Sequence, residues 1–258
     1  MIKIMSKISK KRRQFEIKKK RGRRKKKNHR ENKENCSPFE NRGNFEIEKM
    51  KFLNCKIDLP KKIFQPRIET EFWVKKSLRD VRRLEGLNVG MLRVLDIFAG
   101  TGCIGISVLK NIKNSRVDFV DISKEAIGQI KINLKLNRVP KPRYKIYCSN
   151  LFEKLKNKKY NVIFANPPYV ALKRIQEIQK EVLEKEPRQA LFAGRDGMYW
   201  IEKFLKEVKN HLMKNGVFYM EFDPLQKEKI KEILKKEGFK FQFRKDQFKK
   251  FRWLKSKL

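Results

Sequence analysis

Two short stretches hold residue types whose spacing can do chemistry. In Asp96-Ile-Phe-Ala-Gly-Thr-Gly-Cys-Ile-Gly105 the glycines Gly100, Gly102 and Gly105 follow G-x-G-x-x-G, and Asp121 lies where such a loop has its ribose-binding acid. The second stretch is Asn166-Pro167-Pro168-Tyr169. Its prolines stiffen the chain and leave carbonyls without competing N–H donors. The Asn166 side-chain oxygen and the Pro167 carbonyl can both accept from one planar NH₂ group, and Tyr169 can stack on the attached conjugated plane. Amide and aryl amines are poor nucleophiles because their lone pair is delocalised. Two acceptors localise density on the nitrogen, and in-line placement against an electrophile supplies proximity.

The charges indicate what the glycine loop takes. A dinucleotide sets its pyrophosphate over the following helix N-terminus. Asp96, four residues before Gly100, adds an unfavourable negative charge there. S-adenosylmethionine has no phosphate; it carries a sulfonium and an ammonium, which a carboxylate suits. Asp121 would then accept from both ribose hydroxyls. The expected cofactor is therefore S-adenosylmethionine. Asp96 has a second reading, as an acceptor that only fixes the loop.

Regular elements must hold these loops. Arg93–Phe98, Arg116–Asp121, Tyr144–Cys148, Asn161–Ala165 and Gly216–Phe222 read as strands, the last after an Asn-Gly turn. Two more are expected near Phe239–Arg244 and Lys250–Leu254. Between them fall helices: Cys103–Asn111, one capped by Ser123, a stripe of Ile201, Phe204, Leu205, Val208 and Leu212, and one with Leu225, Ile230, Ile233 and Leu234. Strand alternating with helix means an α/β fold with a parallel sheet covered on both faces. Asn166–Tyr169 then follows strand four at the C-terminal edge, where open α/β sheets bind ligands.

Composition narrows the setting. The chain has 258 residues, with 67 Lys+Arg against 29 Asp+Glu, a formal charge of +38. That charge calls for an anionic partner or a strongly solvated surface. No apolar run is long enough for a membrane span, and the start lacks the apolar segment of a secretory signal. Four scattered cysteines (Cys36, Cys55, Cys103, Cys148) and two histidines (His29, His211) form neither a disulfide framework nor a zinc site. A reduced, cytoplasmic protein with no metal is expected. Residues 1–49, with the run Lys18–Lys27, read as a disordered basic tail able to contact ribosomal RNA through phosphates. Residues 50–92 read as a connector and helix, the stretch 36–60 being loose, and 93–258 as the catalytic domain. Among the remaining polar residues, Glu69 and Glu71 suit a helix start or the target pocket, and Glu186 and Asp196 suit surface acids or lid anchors. His211 reads as solvated and Cys103 as a packing residue.

Six segments together resemble the HemK/PrmC-like class I methyltransferases, which methylate a glutamine side-chain nitrogen in peptide-chain release factors. They are Gln65–Val74, Val94–Gly105, Ser149–Phe152, Asn166–Tyr169, Glu186–Gly197 and Arg244–Leu254. The resemblance runs from about Phe64 to Leu258. It implies a Rossmann-like, seven-stranded and mostly parallel sheet whose last strand is antiparallel. It implies that Asp96, Phe98, Ala99, Gly100, Thr101, Gly102, Asp121, Asn150, Leu151 and Asn166 line the cofactor site. Asn166, Pro167, Pro168 and Tyr169 would hold the target glutamine of a release factor, and Asn166, Pro167 and Tyr169 would carry the catalysis. The sequence departs from the family in three places: the tail and connector replace a helical N-terminal domain, Asn150 stands where Asp is common, and Ile68 replaces a proline. Other acceptors remain open, namely an exocyclic amine of rRNA or DNA or a glutamine of a ribosomal protein. A non-catalytic RNA-binding module is a further alternative.

Overall fold

The computed structural model describes residues 48–59, 63, 65–85, 90–177 and 191–258. The basic tail up to residue 47, with the rRNA contact expected of it, and Glu186 lie outside the described residues. The chain opens with strands β1 (Glu48–Phe52) and β2 (Cys55–Leu59), then helix α1 (Ile68–Glu85). There follow β3 (Leu92–Ile97), α2 (Cys103–Asn111), β4 (Ser115–Asp121), α3 (Lys124–Leu136), β5 (Tyr144–Cys148) and β6 (Tyr160–Ala165). The last elements are α4 (Tyr199–Glu207), β7 (Leu212–Glu221), α5 (Lys227–Lys236), β8 (Lys240–Lys245) and β9 (Phe251–Lys257).

Seven strands form one sheet in the order β5-β4-β3-β6-β7-β9-β8. All neighbours are parallel except β9, which runs antiparallel to both β7 and β8. This is the fold class expected from the sequence. The chain winds outward from β3 to β5, then returns to place β6 on the other side of β3. The order reverses between β3 and β6, and a crevice opens at their carboxyl ends.

Alternate residues of each strand feed two cores. Val94, Val162 and Phe164 pack with α1, α2 and α3 on one face, through Trp73, Ile106 and Ile130. Leu95, Ile163 and Ala165 pack with α4 and α5 on the other, through Phe204 and Ile230. The third glycine of the loop serves this packing: a Cβ on Gly105 would overlap the Phe119 ring of β4.

The loose connector expected over 36–60 is wrong for residues 48–59, where β1 and β2 pair antiparallel as a hairpin. Phe52, Cys55 and Ile57 are fully buried under it. Its second edge is closed by side-chain amides from α3 rather than by another strand. The Asp58 N–H donates to Asn133 Oδ1 (2.8 Å), the Lys56 N–H to Asn137 Oδ1 (3.0 Å), and Asn137 Nδ2 to the Lys56 carbonyl (2.7 Å). Residues spaced by four on one helix face thus replace a missing ladder. The apolar stripe Ile201–Leu212 also overruns its helix. Leu212 opens β7 opposite Tyr160, and the Asn215-Gly216 turn is an irregularity inside that strand, with Asn215 at φ 65°.

Candidate active site

Parallel pairing of β3 with β6 matches Ile97 to Ala165. Phe98 and Asn166 therefore leave adjacent strands side by side, about 5 Å apart at strand spacing. The glycine loop and the Asn166–Tyr169 turn share the crevice.

The loop is braced by carboxylates. The Gly105 N–H donates to Asp96 Oδ2 (2.8 Å), so the loop-fixing reading of Asp96 holds for that oxygen. Asp96 Oδ1 is buried with no hydrogen-bond partner among the described residues. Burial pushes this carboxyl up to about 8, against the pull of the Gly105 hydrogen bond. Asp121 takes the Gly100 N–H on Oδ2 (2.8 Å) and the Ser123 N–H on Oδ1 (2.9 Å). Burial raises its pKa too, against the pull of the backbone N–H groups of Ser123, Gly100 and Ile122. Next along the edge, Asn150 Nδ2 donates to Glu153 (2.6 Å), which leaves its buried Oδ1 without a partner among the described residues. Acceptors thus stand in line at the ends of β3, β4 and β5, suited in turn to a cation, a diol and an amine.

The facing turn is anchored from behind. Asn166 is half-buried, and among the described residues its amide has no hydrogen-bond partner. The Tyr169 hydroxyl donates to Glu221 Oε1 (3.1 Å), while Thr70 Oγ1 (2.7 Å) and Trp73 Nε1 (2.6 Å) donate to Glu221 Oε2. Burial and the Glu221 charge push the Tyr169 phenol far up, so it stays protonated and serves as a fixed donor. Gln226 Nε2 donates to the carbonyls of Tyr169 and Gly197, both at 2.9 Å. A side chain at Gly197, which sits at φ 80°, would run into the Tyr169 carbonyl.

The methyltransferase small domain family matches residues 84–201, a span that holds both loops. This is a methyltransferase domain. Release factor glutamine methyltransferase of Thermodesulfovibrio yellowstonii is 30% identical over 188 residues, covering 73% of this chain and 66% of that protein. Its namesake in Flavobacterium psychrophilum is 33% identical over 177 residues, covering 68% and 60%. The chain thus spans less than two thirds of these relatives' length. Among solved structures, ribosomal protein L11 methylase of Lactobacillus delbrueckii subsp. bulgaricus superposes with a TM-score of 0.52 at 18% identity, covering 76% of this chain and 80% of that one. The fold is that of the class I S-adenosylmethionine-dependent methyltransferases.

The structure also shows residues that sequence reasoning missed. Glu221 and Gln226 hold the Tyr169 turn. Gln226 had a legible signal, since Asp223-Pro-Leu-Gln226 has the spacing of a capping box and forms one. Glu221 had none: it is an acid at the end of an apolar strand. Glu71 proves to brace the hairpin, accepting the Leu53 N–H (2.8 Å). Glu69 is 3% exposed, with Oε2 lacking a partner among the described residues and its pKa raised by burial. Asp196 pairs with Lys229 (2.8 Å) and so fastens the 191–197 segment to α5. His211, expected to be solvated, instead stacks on Phe152 with ring centroids 4.2 Å apart, its Nδ1 2.9 Å from the Lys158 carbonyl. Cys103 is buried, as a packing residue should be. Among the described residues no helix is long and apolar enough to cross a membrane.

Proposed function

We propose that this chain transfers the methyl group of S-adenosylmethionine to the side-chain amide nitrogen of a glutamine in a peptide-chain release factor. The observation that carries the reading is the placement of Asn166–Tyr169 beside the glycine loop, on strands paired at Ile97 and Ala165, next to the open acceptors of Asp96 and Asn150. When bound, the cofactor supplies an electrophilic methyl group on a sulfonium. In this reading Asp96 Oδ1 takes its ammonium, Asp121 its ribose hydroxyls, and Asn150 Oδ1 its adenine amine, with Leu151 and Phe98–Gly102 as the walls. Residues 93–258 form the catalytic unit and residues 50–92 brace it.

Asn166 and the Pro167 carbonyl accept the two amide hydrogens of the target, and Tyr169 packs on its plane with Pro168 stiffening the turn. Held so, the target nitrogen would be aimed at the methyl group that the bound cofactor would supply. The methylated amide nitrogen would be strongly acidic and would lose its surplus proton to solvent water, so no strong base is needed. The names of the relatives support glutamine in a release factor as acceptor. A cytoplasmic location follows from that partner. The formal charge of +38 favours a second reading, an exocyclic amine of rRNA, which the same turn would suit.

Incubation with methyl-labelled S-adenosylmethionine and either a release factor or deproteinised rRNA tests the choice. Label on the factor's glutamine is expected. Label on RNA alone would overturn it.

A further inference from the structure

The β8–β9 turn, residues 246–250, stands at the same end of the sheet as the Asn166–Tyr169 turn, because β8 runs parallel to β7 with β9 antiparallel between them. Arg252 joins the two places: it is buried, and its charge lies among Tyr169, Glu221, Glu69 and Asp246.

The turn is built from the inside. Asp246 is buried, and its Oδ1 accepts from the N–H groups of Phe248 (2.8 Å) and Lys250 (3.0 Å). Its Oδ2 faces Arg252 Nε at 3.4 Å. Its own N–H donates to the Lys250 carbonyl (2.8 Å), and its carbonyl accepts the Lys249 N–H (3.1 Å). Such a turn has a fixed shape. It holds an aromatic edge outward: Phe248 is 37% exposed, and Gln247 and Lys249 are exposed beside it. Lys249 even sits at φ 62°, a strained setting for a lysine. Lys245 lies over the Phe251 ring at 5.2 Å, so cations and aromatic faces alternate along this rim.

We propose that this turn is a docking surface for single-stranded RNA, with Phe248 stacking on a base and Lys245 and Lys249 meeting the flanking phosphates. An aromatic face between cations suits a strand of bases, since every base has a π-face. An acidic peptide need offer nothing planar beyond its amides, whereas every nucleotide carries a base. Gln247 offers an amide to the 2′-hydroxyl that separates RNA from DNA. The surface is independent of the methyl acceptor.

The test is fluorescence anisotropy of the full chain with a labelled mixed-sequence RNA about twelve nucleotides long, within the site sizes usual for such surfaces. The same-length DNA and a polyglutamate peptide run alongside. Phe248→Ala should weaken RNA binding about fivefold or more, the lower end of base stacking, and Phe248→Tyr should restore it. Lys245→Glu with Lys249→Glu should flatten the salt dependence by at least about 1.4 in slope, two contacts at about 0.7 each for a single strand. Crosslinks from thiouridine-substituted RNA should map to residues 243–253. Methylation of a free protein substrate should be unchanged in all variants, which separates this surface from the catalytic reading. Unchanged RNA affinity in both variants, or crosslinks confined elsewhere, overturns the proposal. So does equal loss for DNA, or polyglutamate binding as tight as RNA with Phe248→Ala indifferent, the mark of an acidic protein partner.

Discussion

Asp96→Asn separates the two things that one buried carboxyl does. In the folded chain its pKa rises from 3.8 to about 8, because burial disfavours the charge more than the Gly105 hydrogen bond favours it. Between those values the native state holds a proton that the unfolded chain has lost. The contribution to stability is whole below the lower value and drains away as pH rises through the window, by ~1.4 kcal/mol per unit. At pH 7 that amounts to roughly 4 kcal/mol of lost stability, an upper figure for a site that keeps all water out. Asparagine has the same shape, can keep the Gly105 hydrogen bond, and carries no proton to lose. Thermal unfolding followed by circular dichroism should show the unliganded parent weakening from pH 5 to 8 and the variant weakening much less. Cofactor binding reverses the sign. An ammonium at Oδ1 needs the ionised form, so affinity should fall about tenfold for each pH unit below 8 and binding near pH 7 should release close to one proton. Calorimetry in buffers of different ionisation enthalpy reads that proton directly. In Asp96→Asn the affinity should be weak and flat with pH. A variant whose unfolding keeps the parent's pH slope, or whose cofactor affinity equals the parent's at pH 8, refutes the reasoning.

Other perturbations act on single links. Asn166→Ala should abolish turnover while calorimetry finds cofactor affinity within a few-fold of the parent; full activity would remove Asn166 from its role. Gly105→Ala drives a methyl group into the Phe119 ring and should cost about 1–3 kcal/mol in urea unfolding. Asn133→Leu strips partners from the Asp58 N–H and the Thr101 carbonyl, which it now meets at 2.8 and 2.9 Å. It should destabilise the chain by roughly 1–3 kcal/mol and speed hydrogen exchange at Asp58.

The middle of the sheet was legible because β3 and β6 are short apolar runs ended within three residues by glycine or asparagine, and the helices carry their own period. The cofactor loop and the Asn166 turn were legible for a different reason: their chemistry is local, written in consecutive residues. The hairpin was not, since its edge is satisfied by Asn133 and Asn137, more than seventy residues away. No local pattern announces that an asparagine on a helix will stand in for a strand. Glu221 was hidden likewise, because its partners Thr70 and Trp73 reach it from the far end of the chain. His211 misled because the polar pair Lys209-Asn210 precedes it, whereas the ring that covers it comes from residue 152.

Four costly features of the fold stand where the cofactor would lie. Phe98 and Leu151, at φ 61° and 46°, are non-glycine residues held in the left-handed region at the ends of β3 and β5. Strain of this kind costs of order 1–3 kcal/mol for each residue. Buried Asp96 Oδ1 and Asn150 Oδ1 lack partners among the described residues, at about 1–3 kcal/mol for each unsatisfied group. A fold selected for stability alone would shed such terms, by an asparagine at 96 or a glycine at 98. In the proposed reading one event relieves the two unsatisfied oxygens together. A cation beside Asp96 and an amine beside Asn150 satisfy the two oxygens at once, and the strained backbone holds them at fixed separation across three neighbouring strands. The site is thus set before its ligand arrives, and the ligand has little to reorganise. Thermal stabilisation by S-adenosylmethionine should therefore exceed the gain of either single variant, Asp96→Asn or Asn150→Ala, when each is given the same ligand. Equal gains would mean that these acceptors never meet it.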